Sequence, residues 1–268
     1  TLTATVNFTD GATNLGSLTY TFTLGVATIA FMENFDGVTA PALPAGWATS
    51  FTNGDGDCVV GGALCTLGSN FTTTNSAPVD TAPNTAFHND PGCVTNNVLD
   101  TPSINITSNA AKVIFLNKYS LEQSFDGGVL EVSSPNINGG TFTDITAAAV
   151  GGSFVSGGYN STISAGSLSP IAGRQAWSGS SNGFINTTAN LGPNVAGQTI
   201  RLRFRIATDC SVTGPGWRID TLKVTDGVTC ATSCGGAPCT ITCPANITKS
   251  NDTNQCGAVT TYPAPTTT

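Results

Sequence analysis

Asn53, Asp55 and Asp57 place three oxygen-bearing side chains at alternate positions, separated by Gly54 and Gly56. Glycines let such a loop curl, so the three oxygens can converge on one hard cation, and calcium is the cation that suits them. The loop departs from the EF-hand pattern, because Cys58 stands where the turn glycine would follow and no Glu closes it. An Asn/Asp/Gly run is also ordinary turn chemistry. Both readings stand at this point.

Hydrolytic chemistry finds few residues to work with. His88, in Phe87-His88-Asn89-Asp90, is the single histidine, so a Ser-His-Asp triad has only one base to draw on. Gly179-Ser180-Ser181-Asn182-Gly183 matches G-x-S-x-G in form. That pattern marks a nucleophile only on a strand-turn-helix elbow, and here the surroundings are rich in Ser and Gly with no helix signal. Glu33, Glu122 and Glu131 are available for paired-carboxylate glycoside chemistry, but nothing selects a pair among them. No phosphate-cradling glycine loop is present. The expectation is a protein that is not an enzyme.

Charge and cysteine content set the surroundings. Only 9% of the 268 residues are charged, against roughly 25% in an average soluble chain. The net charge is −7, and nine Lys plus Arg cannot form a phosphate-tracking surface, which argues against nucleic acid. No apolar run approaches the roughly 20 residues that span a bilayer as a helix. The nine cysteines are Cys58, Cys65, Cys93, Cys210, Cys230, Cys234, Cys239, Cys243 and Cys256. They point to an oxidising compartment and an extracellular location, secreted or at the cell surface. Cys58 and Cys65 are near enough in sequence to pair locally, with the full connectivity open. The pairs Cys230/Cys234 and Cys239/Cys243 have knuckle-like spacing for zinc, but the Gly235-Gly236-Ala237-Pro238 connector reads more simply as a disulfide-pinned linker.

The elements that must position these residues are strands. Leu2, Ala4, Val6 and Phe8, then Leu18, Tyr20, Phe22 and Leu24, alternate with polar residues on either side of the turn cluster Asp10-Gly11 and Asn14-Leu15-Gly16, a hairpin signal. This hairpin is either the end of an upstream immunoglobulin-like domain or a pair of strands exchanged with another surface. Short apolar runs recur between Gly, Asn, Pro and Ser clusters at 29–35, 99–106, 112–116, 129–132, 200–206 and 217–224, and none keeps a 3.6-residue period. The expected class is all-β, a jelly-roll β-sandwich with flanking immunoglobulin-like strand segments. Four pieces are expected: the hairpin over 1–28, the sandwich over 29–229, a Cys/Gly linker over 230–242 and a further module from 243 to 268.

Two resemblances refine this outline. Cys243-Pro244-Ala245-Asn246-Ile247-Thr248, Asn251-Asp252, Cys256-Gly257-Ala258-Val259 and Tyr262-Pro263 resemble the opening of a HYR (hyalin repeat) module, an immunoglobulin-like adhesion domain. That resemblance implies a longer natural protein, and partner cysteines beyond Thr268 for an odd set. Met32-Glu33-Asn34-Phe35-Asp36-Gly37, Leu43-Pro44-Ala45-Gly46-Trp47, 98–104, Phe125-Asp126-Gly127-Gly128 and Gly216-Trp217-Arg218-Ile219-Asp220 follow in the order of the MAM-like, bacterial cleaved-adhesin jelly-roll domains, which they resemble. This second resemblance implies structural calcium and a role in adhesion or in attaching a secreted enzyme. It raises Glu33 and Asp36 on the first strand with Asp220 on the last as a calcium site, since first and last strands of a jelly roll can be neighbours. Asp90 is a further candidate ligand.

Binding surfaces follow from aromatic and charged faces. Trp47, Trp177, Trp217 and Tyr159 could stack on sugars, although so few large side chains are needed in the core. Trp177, in Arg174-Gln175-Ala176-Trp177-Ser178-Gly179, is the least core-like and is the expected ligand-binding residue. Arg201, Arg203 and Arg205 share one strand face, best explained by pairing with neighbouring acids. The leading expectation is a non-catalytic adhesion or attachment module, probed by surface proteins or glycans as partners. The alternatives are a self-assembling filament or sheath subunit that associates through its terminal strands, and a carbohydrate-binding module.

Overall fold

Period-2 alternation becomes two facing sheets in the computed structural model, which describes residues 2–22, 25–54, 58–60, 63–229, 241–242, 253 and 266–267. In chain order the strands are β1 (Leu2–Asp10), β2 (Thr13–Phe22), β3 (Val26–Glu33), β4 (Ala48–Asn53), β5 (Val59–Val60), β6 (Ala63–Leu64) and β7 (Thr72–Thr74). Next come β8 (Thr85–Asp90), β9 (Thr95–Asp100), β10 (Ile104–Ile106), β11 (Ala111–Ser120), β12 (Gly127–Ser133), β13 (Thr143–Asp144) and β14 (Ser153–Ser156). The last are β15 (Ser161–Thr162), β16 (Gln175–Ala176), β17 (Ile185–Asn190), β18 (Gln198–Thr208), β19 (Gly214–Thr229), β20 (Ile241–Thr242) and β21 (Thr266–Thr267). Among the described residues the helical content is two 3-10 turns, Asn138–Gly140 and Pro193–Val195.

The chain divides into two units, one formed by Ala27–Val228 and one by residues 1–26 with 229–268. In the smaller unit β1 and β2 pair antiparallel from Leu2↔Phe22 to Asp10↔Thr13, the hairpin that the alternation predicts. Val6, Phe8, Leu15 and Leu18 of this hairpin are exposed. β20 and β21 pair as a short second ribbon.

The larger unit is a β-sandwich. One sheet has the order β13-β12-β18-β9-β4, with β10 also on β18; the other runs β14-β17-β11-β19-β8-β7, with β3 also on β19. From β8 through β19 the long strands pass from one sheet to the other and back, so neighbours within a sheet are remote in sequence: β18 lies between β12 and β9, and β19 between β11 and β8. This is the jelly-roll form of a two-layer sandwich.

Each central strand turns one face inward. In β11, Ala111, Val113, Phe115 and Tyr119 are buried while the residues between them, apart from the inward Asn117, face outward in part. In β18, Ile200, Leu202, Phe204 and Ile206 enter the core, and Arg201, Arg203 and Arg205 lie on the opposite face. There Arg203 Nε and Nη2 donate to Asp100 at 2.7 and 2.8 Å, and Arg205 donates to Glu131 Oε2 at 2.9–3.0 Å. The arginine face is thus neutralised by its own sheet, through cross-strand pairs of opposite charge. A smaller apolar cluster of Val129, Ile163, Ile171, Ala176 and Ala207 covers the outer side of the same sheet.

Asp226 fastens the turn before β11 to β19. Its Oδ2 accepts from the Thr107 amide and hydroxyl at 2.7 and 2.6 Å, and its Oδ1 from the Ser108 amide at 2.8 Å. Burial alone would raise the Asp226 pKa, but these donors win and hold it below the usual carboxylate value. A folded pKa below the unfolded one stabilises above roughly pH 4, and the benefit fades as pH falls through the folded value. Asp226→Asn should therefore cost about 2 kcal/mol at pH 7. The difference from wild type in chemical denaturation should hold between pH 7 and 5 and shrink below pH 4; a difference that grows on acidification would reject this role.

Candidate functional site

Two groups of carboxylates stand out. The first lies where the chain leaves β3. Glu33 Oε1 accepts the Phe35 amide at 2.8 Å, across a turn in which the fully buried Phe35 adopts φ 63°. Asp36 Oδ1 accepts the Asn84 amide at 2.9 Å, while its Oδ2 accepts from Asn34 Nδ2 at 2.8 Å and the Thr81 hydroxyl at 2.9 Å. Asp220 on β19 is fully buried, and its Oδ1 accepts the Thr221 amide at 2.7 Å. The Thr221 hydroxyl donates to Asp80 Oδ2 at 2.9 Å. Segment 80–84 therefore touches both the Asp36 turn and the Asp220 strand.

Asp220 Oδ2 is buried without a hydrogen-bond partner. Burial pushes the Asp220 carboxyl up to about 6, with help from the nearby Asp80 charge and against the backbone amides of Thr221, Asp80 and Thr81. An orphaned, desolvated carboxylate oxygen is what a bound cation would satisfy. β3 pairs with β19, as the expected site requires of the first and last long strands, but Glu33, Asp36 and Asp220 do not bring three carboxylate oxygens within 4.8 Å of one another. Asp80 carries no local sequence signal and was missed for that reason.

Asp90 does not join this group. In the register of β8 on β19, Ala86 faces Ile219 and Asp90 faces Gly214, which puts Asp220 beside Thr85. At about 3.3 Å per residue, Asp90 stands roughly 16 Å away along β8. It belongs instead to a second group with Glu122, Asp126 and Asp209. Each of the last three offers a carboxylate oxygen within 4.8 Å of the others. Asp126 is fully buried and its Oδ1 accepts the Asp209 amide at 2.6 Å. Burial first, then the neighbouring Asp90 carboxyl, raises the pKa of Asp126; burial likewise raises that of Asp90, and of Glu122 and Asp209.

The remaining sequence candidates divide into three sets. Asn53 Oδ1 accepts the Gly68 amide at 2.7 Å, so this side chain holds a loop; Asp55 and Asp57 lie outside the described residues. Trp177 corrects the expected sugar platform. It is fully buried, donates from Nε1 to the Gly157 carbonyl at 2.9 Å and meets Phe115, Phe154 and Tyr159 edge to face. Its polar-looking loop pairs with Gly128 and folds the indole into the core, where no face is left for a sugar. Trp47 and Trp217 are buried too.

Cysteines form the third set. Cys58 bonds to Cys210 and Cys65 to Cys93, which corrects the local Cys58–Cys65 pairing. The Cys65 amide does reach the Cys58 carbonyl at 3.0 Å, so the two share a hairpin by backbone while their sulfurs serve distant partners. Cys230, Cys234, Cys239, Cys243 and Cys256 lie outside the described residues, as does nearly all of the HYR-like segment.

Of the groups considered for catalysis, Glu122 stands in the second carboxylate group and Glu33 bonds within its own turn. The others are occupied. His88 is buried, with Nδ1 2.5 Å from the Asn89 carbonyl oxygen and Nε2 3.1 Å from the Ser69 hydroxyl, and burial lowers its pKa. Ser181 donates to the Gly183 carbonyl at 2.7 Å within a turn, not an elbow before a helix. Glu131 is 2% exposed and ion-paired with Arg174 and Arg205.

No protein-family model matches the chain, and no curated protein matches it. Among solved structures, it is similar to the K1 cleaved adhesin domain of Lys-gingipain from Porphyromonas gingivalis, at 18% identity and TM-score 0.42 over 74% of this chain and 98% of that one. The K3 cleaved adhesin domain of the same protein gives 18% identity and TM-score 0.40, over 75% and 99%. The CBM22-1 xylan-binding domain of Paenibacillus barcinonensis Xyn10C gives 9% identity and TM-score 0.38, over 77% and 99%. At these values neither site nor activity transfers, and the fold assignment rests on the strand pairing of this chain itself.

Proposed function

We propose that the chain is a non-catalytic adhesion or attachment module of an extracellular protein, with calcium held at the buried Asp220 carboxylate. The observation that carries the reading is the buried, unpartnered Asp220 oxygen near Asp80, on the strand that segment 80–84 links to the Asp36 turn. It supports a structural cation on the last long strand, while the lone histidine and the G-x-S-x-G serines are taken up by internal hydrogen bonds. Two disulfides within the sandwich support an oxidising, extracellular setting. Partners of this module are surface proteins or glycans.

The test is saturable binding of the full chain to protein films and glycan arrays, in millimolar calcium and after chelation. Calcium-dependent binding that Asp220→Ala removes is the expected result. Binding unchanged by chelator and by Asp220→Ala would remove calcium from the account, and absence of binding to either surface would remove adhesion. The exposed Val6, Phe8, Leu15 and Leu18 favour a second reading, self-association through the terminal hairpin. Polymerisation that rises with concentration and is lost on deleting residues 1–25 would establish it.

A further inference from the structure

Asp90, Glu122, Asp126 and Asp209 come from four separate places in the chain: the end of β8, the loop after β11, the residue before β12 and the residue after β18. The topology gathers them at one end of the sandwich, between strands of both sheets. Both disulfides are anchored there, through Cys93 and Cys210. Asp90 is 2% exposed, Asp126 0% and Asp209 9%.

Their oxygens are largely unpartnered. Both oxygens of Asp90, Oδ2 of Asp126 and Oδ1 of Asp209 are buried without a hydrogen bond from any other group; the one side-chain partner each carboxyl has among the described residues is another carboxyl, Asp90 with Asp126 and Glu122 with Asp209, and such a pair bonds only when it shares a proton. Among the described residues, no Lys or Arg forms an ion pair with any of the four; every ion pair runs instead to Asp100, Glu131 or Asp144. Leaving carboxylates desolvated, adjacent and without a positive partner costs several kcal/mol per charge. A counter-charge has to come from outside the chain or from protons.

We propose that Glu122, Asp126 and Asp209 bind a calcium ion, with Asp90 packed against Asp126 behind them, at a site separate from that of Asp220, which clamps the two sheets together beside the disulfides. The spacing fits the ion. Two oxygens on opposite sides of a cation at roughly 2.4 Å stand about 4.8 Å apart, and the Glu122, Asp126 and Asp209 oxygens lie within 4.8 Å of one another. The donors are all oxygen: Cys93 and Cys210 are locked in disulfides, and both ring nitrogens of nearby His88 are bonded elsewhere. An all-carboxylate set selects a hard cation over zinc or copper. Magnesium keeps several waters and demands a regular octahedron, whereas calcium accepts six to eight oxygens and bidentate carboxylates. Two donors that are at least nine-tenths buried, Asp126 and Asp209, favour the ion that sheds its water. Glu122, only partly buried, is the side from which it enters.

Gly214 supports the arrangement. A Cβ there would stand 2.6 Å from Asp90 Oδ2 and 2.6 Å from the Ser120 carbonyl oxygen, so only glycine leaves the Asp90 carboxylate its position.

The experiment is calcium titration of the chelated full chain by calorimetry, with terbium luminescence as an independent probe. Wild type, Asp126→Asn, Glu122→Gln and Asp220→Asn are compared. The expected result is that Asp126→Asn binds one equivalent of calcium fewer than wild type, that Glu122→Gln weakens the same equivalent at least tenfold, and that Asp220→Asn keeps it. Glu122→Gln alters a partly exposed side chain, so it carries the test should Asp126→Asn fail to fold. Calcium stoichiometry and affinity unchanged in both cluster variants would overturn the proposal and assign the cluster to shared protons. Loss of all calcium binding in Asp220→Asn alone would leave the Asp220 site standing and this one refuted.

Discussion

Trp177→Ala is expected to lower the stability of the sandwich by about 3–5 kcal/mol, the range for deleting a large buried aromatic side chain. The indole is fully buried, with ring centroids of Tyr159, Phe154 and Phe115 at 4.9, 5.5 and 5.7 Å. Three aromatic rings packed by their own neighbours cannot collapse into the space it leaves, so most of the cavity persists. Its Nε1 also satisfies the Gly157 carbonyl, which becomes unpaired. Trp177→Phe keeps part of the ring volume and loses that bond, and should fall between wild type and alanine. Chemical denaturation reads both variants. An exposed sugar-stacking tryptophan would behave in the opposite way, with stability within about 0.5 kcal/mol of wild type and binding lost; that outcome would return Trp177 to the surface.

The second large effect belongs to Glu131. This carboxylate is 2% exposed and receives Arg174 Nη1 at 2.8 Å and Arg205 Nη2 at 2.9 Å, while Arg174 also reaches Asp144 at 2.8 Å. Removing one member of a buried ion network costs about 3–5 kcal/mol, because the charges left behind have lost both water and partner. Here the arginine side chains are 32% and 18% exposed. They can recover part of their hydration, so Glu131→Ala should lie near the low end, about 3 kcal/mol. A melting temperature lower by about 6–12 °C would follow for a domain of this size. A double-mutant cycle with Arg205→Met separates the pair from the packing of its stems. A cycle without coupling, or a Glu131→Ala loss below about 1 kcal/mol, would make the network a surface ornament.

Those two residues mark the limits of the sequence from opposite sides. Glu131 sits in a short apolar run on β12, and nothing local signals that its charge is buried and doubly paired. The arginines were legible as one strand face because strand geometry alone puts Arg201, Arg203 and Arg205 on the same side. Which acids meet them depends on β18 lying between β12 and β9, whose registers bring Glu131 and Asp100 opposite Arg203. Trp177 was read from its Ser, Gly, Gln and Arg neighbours as a loop residue. Those neighbours do lie in a loop, but an isolated bridge to Gly128 turns the loop inward.

The carboxylate groups show the same division. Glu33 and Asp36 were expected on the first long strand and Asp220 on the last; β3 ends at Glu33 and pairs with β19, while Asp36 lies in the turn beyond it. Asp126 and Asp209 were not joined by any sequence argument. Eighty-three positions separate them, although the Asp209 amide is bonded to the Asp126 carboxylate. Asp90 was assigned to the wrong group, because membership depends on its position along β8 and not on its type. The cysteines repeat the lesson: Cys58 and Cys65 are neighbours in sequence and backbone, but Cys58 pairs across 152 positions with Cys210.

By itself the sequence determined what strand periodicity and composition can carry: an all-β chain, the terminal hairpin, the inward and outward faces of the central strands, and the scarcity of catalytic groups. Tertiary structure alone decided which acids share a pocket, which cysteines bond, and whether Trp177 is a surface or a core. The physical reason lies in the crossing of strands between sheets. Faces of a strand are fixed by a two-residue repeat, a local property. Neighbours across the sandwich are fixed by the chain's long-range path, and the contacts of both carboxylate groups and both disulfides join residues that are neighbours mainly in space.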